Sequence, residues 1–319
     1  MLLRDFIKVH MQELLTEHNG LIFGHNLVDV GWVAGTIPPL PDNPNYVDLP
    51  ITDIAGVGLA VGSSLGNRPV VFISRYHGYL WLNLAPVATY AAASMTVFKQ
   101  DCWFMMRAIA DDGAFGPIAS GSLINLALQT KELTVCAPTN TSEWGEIWEY
   151  FIENRSPIFV SEHRNSYARE DVELKNSPAD SIVVLSVGGT SILLQKIQNS
   201  LAINSISASA YNIFWLRPFR LPAGVAEQIE RAKYIFVLDP GPKSFGLASG
   251  IVAELTTSAK VHVFANPDTF SGYAAELRSS VGDANLIVQS ILQIIHPVST
   301  KRNRVWAAFS DYFKYLLKQ

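Results

Sequence analysis

Four short, continuous apolar runs punctuate the first half of the chain. They lie at 70–74 (VVFIS), 102–106 (CWFMM), 133–138 (LTVCAP) and 157–161 (PIFVS). Runs of this length with no polar alternation suit strands buried on both faces, as in parallel sheets. Parallel strands need long crossovers, and the intervening segments have helical character. The alternation therefore predicts a doubly wound α/β layer. A helix is expected over residues 2–17, where Leu2, Phe6, Val9 and Leu14 recur at helical spacing, and a strand at 21–24. The small apolar segments 53–65 and 81–97 read as helices packed closely on the sheet. A helix at 143–154 is expected to be capped by Thr141 or Ser142, with Glu146 balancing its dipole. Glycines and prolines from Gly31 to Pro44 mark a loop suited to a subunit contact or the wall of a site.

After a polar stretch the alternation restarts. Strands are expected at 181–187, 208–215, 234–238 and 261–265, with helices at 191–200, 223–232, 245–256 and 284–295. The expected organisation is a first α/β domain at 1–165, a linker at 166–180, a second α/β domain at 181–296 and an amphipathic tail helix at 297–319. The tail carries Val305, Trp306, Phe309, Phe313 and Leu316 on one face. A length of 319 residues suits two domains.

Apolar residues make up 49% of the chain and charged ones 16%, against a usual ~25%. That balance excludes a disordered chain and points to surface covered by other subunits. The formal charge is −4, with no basic run longer than Lys301 and Arg302, so no nucleic-acid partner is expected. No apolar window is long enough to span a membrane, and residues 1–17 carry too many charges for a signal peptide. A cytoplasmic protein is the expectation. Cys102 and Cys136 stand in apolar company and read as buried thiols.

Phosphate-loop, nucleophile-elbow and zinc-protease motifs are absent from the sequence. Gly56, Gly58 and Gly62 lie inside a helical segment and read as packing glycines. Gly113, Gly116 and Gly121 follow a strand and read either as a plain turn or as a phosphate-facing loop. The seven histidines show no helical metal-ligand spacing, so no metal site is expected in this chain. His77 directly follows a buried strand, at the carboxyl edge where open α/β sheets bind ligands, and reads as ligand-facing or as loop-stabilising. Asp53 opens an otherwise apolar helix. It reads either as a capping carboxylate or as a buried acid that bonds a ring nitrogen of a heterocyclic cofactor.

The order of these motifs resembles a known family. Residues 48–62 (DLPITDIAGVGLAVG) followed by 66–70 (GNRPV) are similar to the "D-T-P-I-x-E-x-G-x-x-G-x-A-x-G … G-x-R-P-V" signature. That signature belongs to the β subunit of the first component of 2-oxo acid dehydrogenases, which are transketolase-like thiamine diphosphate enzymes. Residues 133–138 and 154–162 (NRSPIFVSE), with Tyr167, keep the family's order, as do 181–188, 246–254 and Pro267, Asp268, Tyr273 and Ala274. The resemblance covers roughly residues 3–295 and leaves the tail outside.

The resemblance implies a transketolase-like pyrimidine-binding domain followed by a transketolase C-terminal-like domain. It implies thiamine diphosphate shared with an α-type subunit, Mg²⁺ on the α side, β–β association and a 2-oxo acid substrate. The family glutamate that hydrogen-bonds the aminopyrimidine falls on Asp53, one methylene shorter. The aromatic that stacks on the ring falls on Tyr79 or Tyr76, and a family histidine falls on Ala119. His25 stands where the family has an acid. Asp53 is thus the expected activating acid, with His77 or His25 as proton-transfer groups. The alternatives are a catalytically weakened structural or regulatory paralogue, and a split transketolase-like enzyme acting on sugars.

Overall fold

Two sheets organise the chain. A computed structural model describes residues 1–29, 31–40, 42–111, 115–274, 281 and 283–296. The expected tail helix at 297–319 lies outside the described residues, as do Pro41 and Gly113. In chain order the first sheet contains β1 (Leu21–His25), β2 (Tyr46–Leu49), β3 (Val70–Ser74), β4 (Phe104–Ala110), β5 (Thr134–Cys136) and β6 (Ile158–His163). The second contains β7 (Ile182–Ser186), β8 (Ser209–Asn212), β11 (Tyr234–Pro242) and β12 (Lys260–Asn266). The two short strands β9 (Trp215–Arg217) and β10 (Phe219–Arg220) come late in sequence yet join the first sheet. Its order is β10-β9-β5-β6-β4-β3-β1-β2, parallel from β5 to β2, with β9 antiparallel to β5. The second sheet is parallel, in the order β12-β11-β7-β8.

The longer helices are α1 (Leu3–Thr16), α2 (Asp53–Ser64), α3 (Leu80–Pro86), α4 (Thr141–Asn154), α5 (Leu194–Ile203), α6 (Val225–Arg231), α7 (Leu247–Glu254) and α8 (Ala284–Ile295). One apolar layer packs α2 and α3 on the first sheet through Val57, Val61, Phe72, Leu84 and Phe104. It continues without a break into Leu185, Val237, Ile229 and Ile251 of the second sheet and its helices. On the far face of the first sheet, Ile7, Met11 and Leu14 of α1 meet Trp144, Trp148 and Phe151 of α4. The far face of the second sheet is covered by α5 and α8. Both cysteines are buried and unpaired.

Four local expectations need correction. The strand expected at 208–215 breaks at Ile213 and Phe214, so its two halves serve different sheets. Trp215 is drawn to the first sheet, where its indole N–H donates to Glu146 at 2.5 Å. That bond takes Glu146 away from its expected role at the helix start. The cap of α4 is Asn140, whose side chain accepts from the Glu143 N–H at 2.9 Å, rather than Thr141 or Ser142. The helix expected at 81–97 is α-helical only through Pro86 and continues as two wider π-type turns, 87–91 and 94–98.

The loop at 31–44 contains an unusual element. From Gly31 to Gly35 every φ is positive, with +54°, +54° and +55° at Trp32, Val33 and Ala34. Left-handed helical backbone costs each of these three side-chain-bearing residues about 1–2 kcal/mol. A buried polar network holds the turn in place. Arg107 of β4 forms two bonds to Glu162 of β6, at 2.5 and 2.8 Å, and a third to the Thr36 hydroxyl at 3.0 Å. Thr36 in turn donates to the Val33 carbonyl at 2.9 Å, and Tyr167 donates to Glu162.

Candidate functional site

Strands β1, β3, β4 and β6 run parallel, so their carboxyl ends share one edge. Parallel open sheets bind ligands at this edge because the chain leaves it in loops. His25 ends β1, Arg75 and Tyr76 follow β3, and Arg164 follows β6. The helix α2, entered from β2, brings Asp53 to the same edge.

Asp53, His25 and Tyr79 form the first cluster. Thr52 takes the N-cap position, and neither it nor Asp53 makes a side-chain capping bond. Asp53 has a φ of +40°, so its carboxyl is placed by a strained backbone rather than by the helix N-terminus. One oxygen, Oδ1, is buried and has no hydrogen-bond partner among the described residues. An unpaired buried acceptor costs about 1–3 kcal/mol, and such groups concentrate where a ligand completes them. The His25 ring lies edge-on to Phe72 at 5.3 Å and to Tyr79 at 6.5 Å, with Nε2 3.4 Å from the Thr52 hydroxyl. Burial lowers its pKa; Asp53 pulls it upward and Arg75 downward. His25 is therefore a neutral imidazole near pH 7. Gly56 makes the cluster compact, since a Cβ there would stand 2.5 Å from the Thr52 hydroxyl and 3.3 Å from His25 Nε2. Asp48 anchors the following loop by accepting from the Leu27 N–H at 2.7 Å.

His77 is placed differently. It is 2% exposed, and both ring nitrogens are engaged. Nδ1 accepts from the Leu123 N–H at 2.9 Å, which puts the proton on Nε2, facing the Ala108 carbonyl and the Ser161 hydroxyl, each at 3.3 Å. Burial pushes its pKa down to about 3. With both nitrogens engaged, His77 ties residue 123 to β4 and β6. Ala119 ends the short helix Gly116–Ala119. Gly78 lets that helix approach, since a Cβ at Gly78 would meet the Ile118 backbone at 2.5 Å.

Tyr76 lines a cavity of about 280 Å³ with Val33, Ala34, Arg75, Arg164 and Tyr167. The left-handed turn is one wall of this cavity. Arg164 is paired with Asp111 at 3.2 Å. Arg75 stacks on the Tyr76 ring at 5.6 Å and has no hydrogen bond or ion pair among the described residues. Among the described residues, Arg75 is thus the one cation of the cavity without an anionic partner. These arginines are absent from the sequence-derived site; their signal was an arginine one to three residues beyond a buried apolar run. The rim of the edge is apolar. Ile51, Ile54, Leu59, Trp81 and Leu82 are between 46% and 68% exposed, on or beside α2 and α3.

No family model matches the chain, and no curated protein matches it in sequence. Solved structures match it in shape. A protein described as a split gene transketolase, an inactive β4 tetramer, matches with a TM-score of 0.66 at 13% identity, over 91% of this chain and 97% of that one. The chain has a transketolase-like fold. A transketolase from Campylobacter jejuni matches with a TM-score of 0.68 at 13% identity, over 91% of this chain. There the match covers 46% of the other chain, so this transketolase-like chain spans about half its length. Among the described residues, no helix is long and apolar enough to cross a membrane.

Proposed function

We propose that the chain is the pyrimidine-binding subunit of a thiamine diphosphate enzyme, completed by an α-type chain that supplies the diphosphate and Mg²⁺ site. The buried, partnerless Oδ1 of Asp53 carries this reading. An aminopyrimidine ring offers the hydrogen-bond donor that such an oxygen lacks, provided a ring nitrogen is protonated. Asp53 would hold that nitrogen, and Tyr79 would flank the ring. His25, neutral and within 3.4 Å of the Thr52 hydroxyl, is placed to exchange a proton beside them. When bound, thiamine diphosphate supplies a nucleophilic carbon and an electron sink for a developing carbanion. The apolar rim of α2 and α3 keeps water out only when a second polypeptide covers it, which fits a site shared between subunits. The cavity with Arg75 and Arg164 would take the anionic end of the substrate.

The preferred substrate class is a 2-oxo acid, undergoing decarboxylation and acyl transfer. The split transketolase reading has its own support, because the match spans nearly the whole of a chain described as one. Thermal shift with thiamine diphosphate and Mg²⁺ tests the cofactor reading, on the chain alone and with a candidate α-type chain. Stabilisation confined to the complex is expected; none in either sample overturns the proposal in favour of a structural paralogue. In the complex, release of CO₂ from a 2-oxo acid supports the preferred substrate. Ketol transfer between sugar phosphates without it moves the assignment to the split transketolase.

A further inference from the structure

A second cleft opens between the two α/β layers. It measures about 290 Å³, near the lower end of common small-molecule sites. One wall comes from Pro117, residues 120–123 and Trp81 of the first layer. The other comes from the carboxyl ends of β11 and β12, chiefly Pro240, Pro242 and Phe270. The walls are held without any ligand. His77 pins the Leu123 N–H at 2.9 Å, the Asn266 side chain ties β12 to the Pro240 carbonyl at 2.8 Å, and Asp268 accepts from the Ser244 N–H at 2.9 Å.

The chemistry of the cleft differs from that of the arginine cavity. Among the described residues, no lysine or arginine lines it, and its one charged side chain is Asp268. The rest of the lining is largely proline, glycine and aromatic carbon. One lining group stands out: Ser122 is 6% exposed, and its hydroxyl has no hydrogen-bond partner among the described residues. At the mouth, Trp81 and Phe270 are 68% and 87% exposed. Aromatic rings left in water beside a pocket gain from being covered.

We propose that this cleft is a second binding site, for a small neutral aromatic molecule with one hydrogen-bonding group for the Ser122 hydroxyl. An anion is disfavoured because, among the described residues, the walls carry the Asp268 carboxylate and no cation. The ligand is therefore neither the 2-oxo acid nor the sugar phosphate considered above, and the inference does not depend on the cofactor. The occupant bridges the two layers, so its binding also tightens their association.

The test uses the full chain and indole as the probe, followed by ligand-observed NMR, with indole-3-acetate as its anionic counterpart. Indole is expected to saturate in the millimolar range, as a ligand of that size does, and to bind better than indole-3-acetate. Ser122→Ala should weaken indole about 3- to 10-fold, the worth of one neutral hydrogen bond, without lowering the melting temperature. Phe270→Ala, at an exposed position that folding does not need, should weaken it as well. Arg75→Ala should leave indole binding unchanged. The proposal is overturned if neither Ser122→Ala nor Phe270→Ala moves the affinity. It is also overturned if indole-3-acetate binds more tightly and is lost in Arg75→Ala, or if indole is excluded whenever the chain self-associates, which would make the cleft a subunit contact.

Discussion

The side chain that matters most is a carboxylate with one satisfied environment too few. Asp53 was legible in the sequence because a lone acid opened a helix of Ile, Ala, Gly, Val and Leu. Its capping reading could be judged only in the fold, since capping is a matter of which N–H a carboxylate faces. Asp53→Asn is predicted to leave the free chain within about 0.5 kcal/mol of the parent, as for a residue making no native bond. The same change should remove about 1.5–3 kcal/mol of cofactor-dependent stabilisation, the worth of a hydrogen bond to a charged group. Melting curves of the complex with and without thiamine diphosphate measure both effects. His77 shows where local reasoning ran out. Its place at a strand end was readable, but its three partners come from β4, β6 and the segment before residue 124, which are far apart in sequence.

Helices and strands announced themselves by period, whereas their ends were settled by side chains from elsewhere. Glu143 illustrates this at the start of α4. Its carboxylate accepts from the Thr139 N–H at 2.7 Å and from the Asn212 side chain, at the end of β8, at 2.9 Å. Burial raises its pKa to about 7, while the bonds from Thr139 and Asn212 pull it back in part. The folded state therefore holds this proton more tightly than the unfolded chain. Stability from this group is lost as pH rises from the usual carboxylate range to about 7 and is constant above it. Glu143→Gln should abolish that slope and gain about 3 kcal/mol relative to the parent between pH 5 and 8, read by urea unfolding across pH. The left-handed turn had no sequence signature beyond its flanking glycines, because three non-glycine residues in that region are stabilised only by tertiary contacts. Thr36→Val removes the hydroxyl bonded to Val33 and Arg107 and should cost about 1–3 kcal/mol. Amide exchange should rise over residues 31–37 while the rest of the sheet keeps its protection.

At the scale of the molecule, the exposed apolar face of α2 and α3 is the dominant feature. Its existence was foreseen from a charged fraction of only 16%. Leu59→Lys, at a position 59% exposed, should break self-association without changing the circular dichroism spectrum. Light scattering reads the outcome, and a parent chain that runs as a clean monomer would contradict the shared-site reading. The sequence by itself determined the alternation of strands and helices, because a continuous apolar run of five residues has few other places to go. It also marked the strand end before His77, whereas β4, expected at 102–106, runs over 104–110. Only the tertiary structure decided that 215–220 would cross to the first sheet, that a left-handed turn would wall one cavity, and that Arg75 would stand there unpaired. Those outcomes depend on contacts between residues tens of positions apart, whose energies no local pattern encodes.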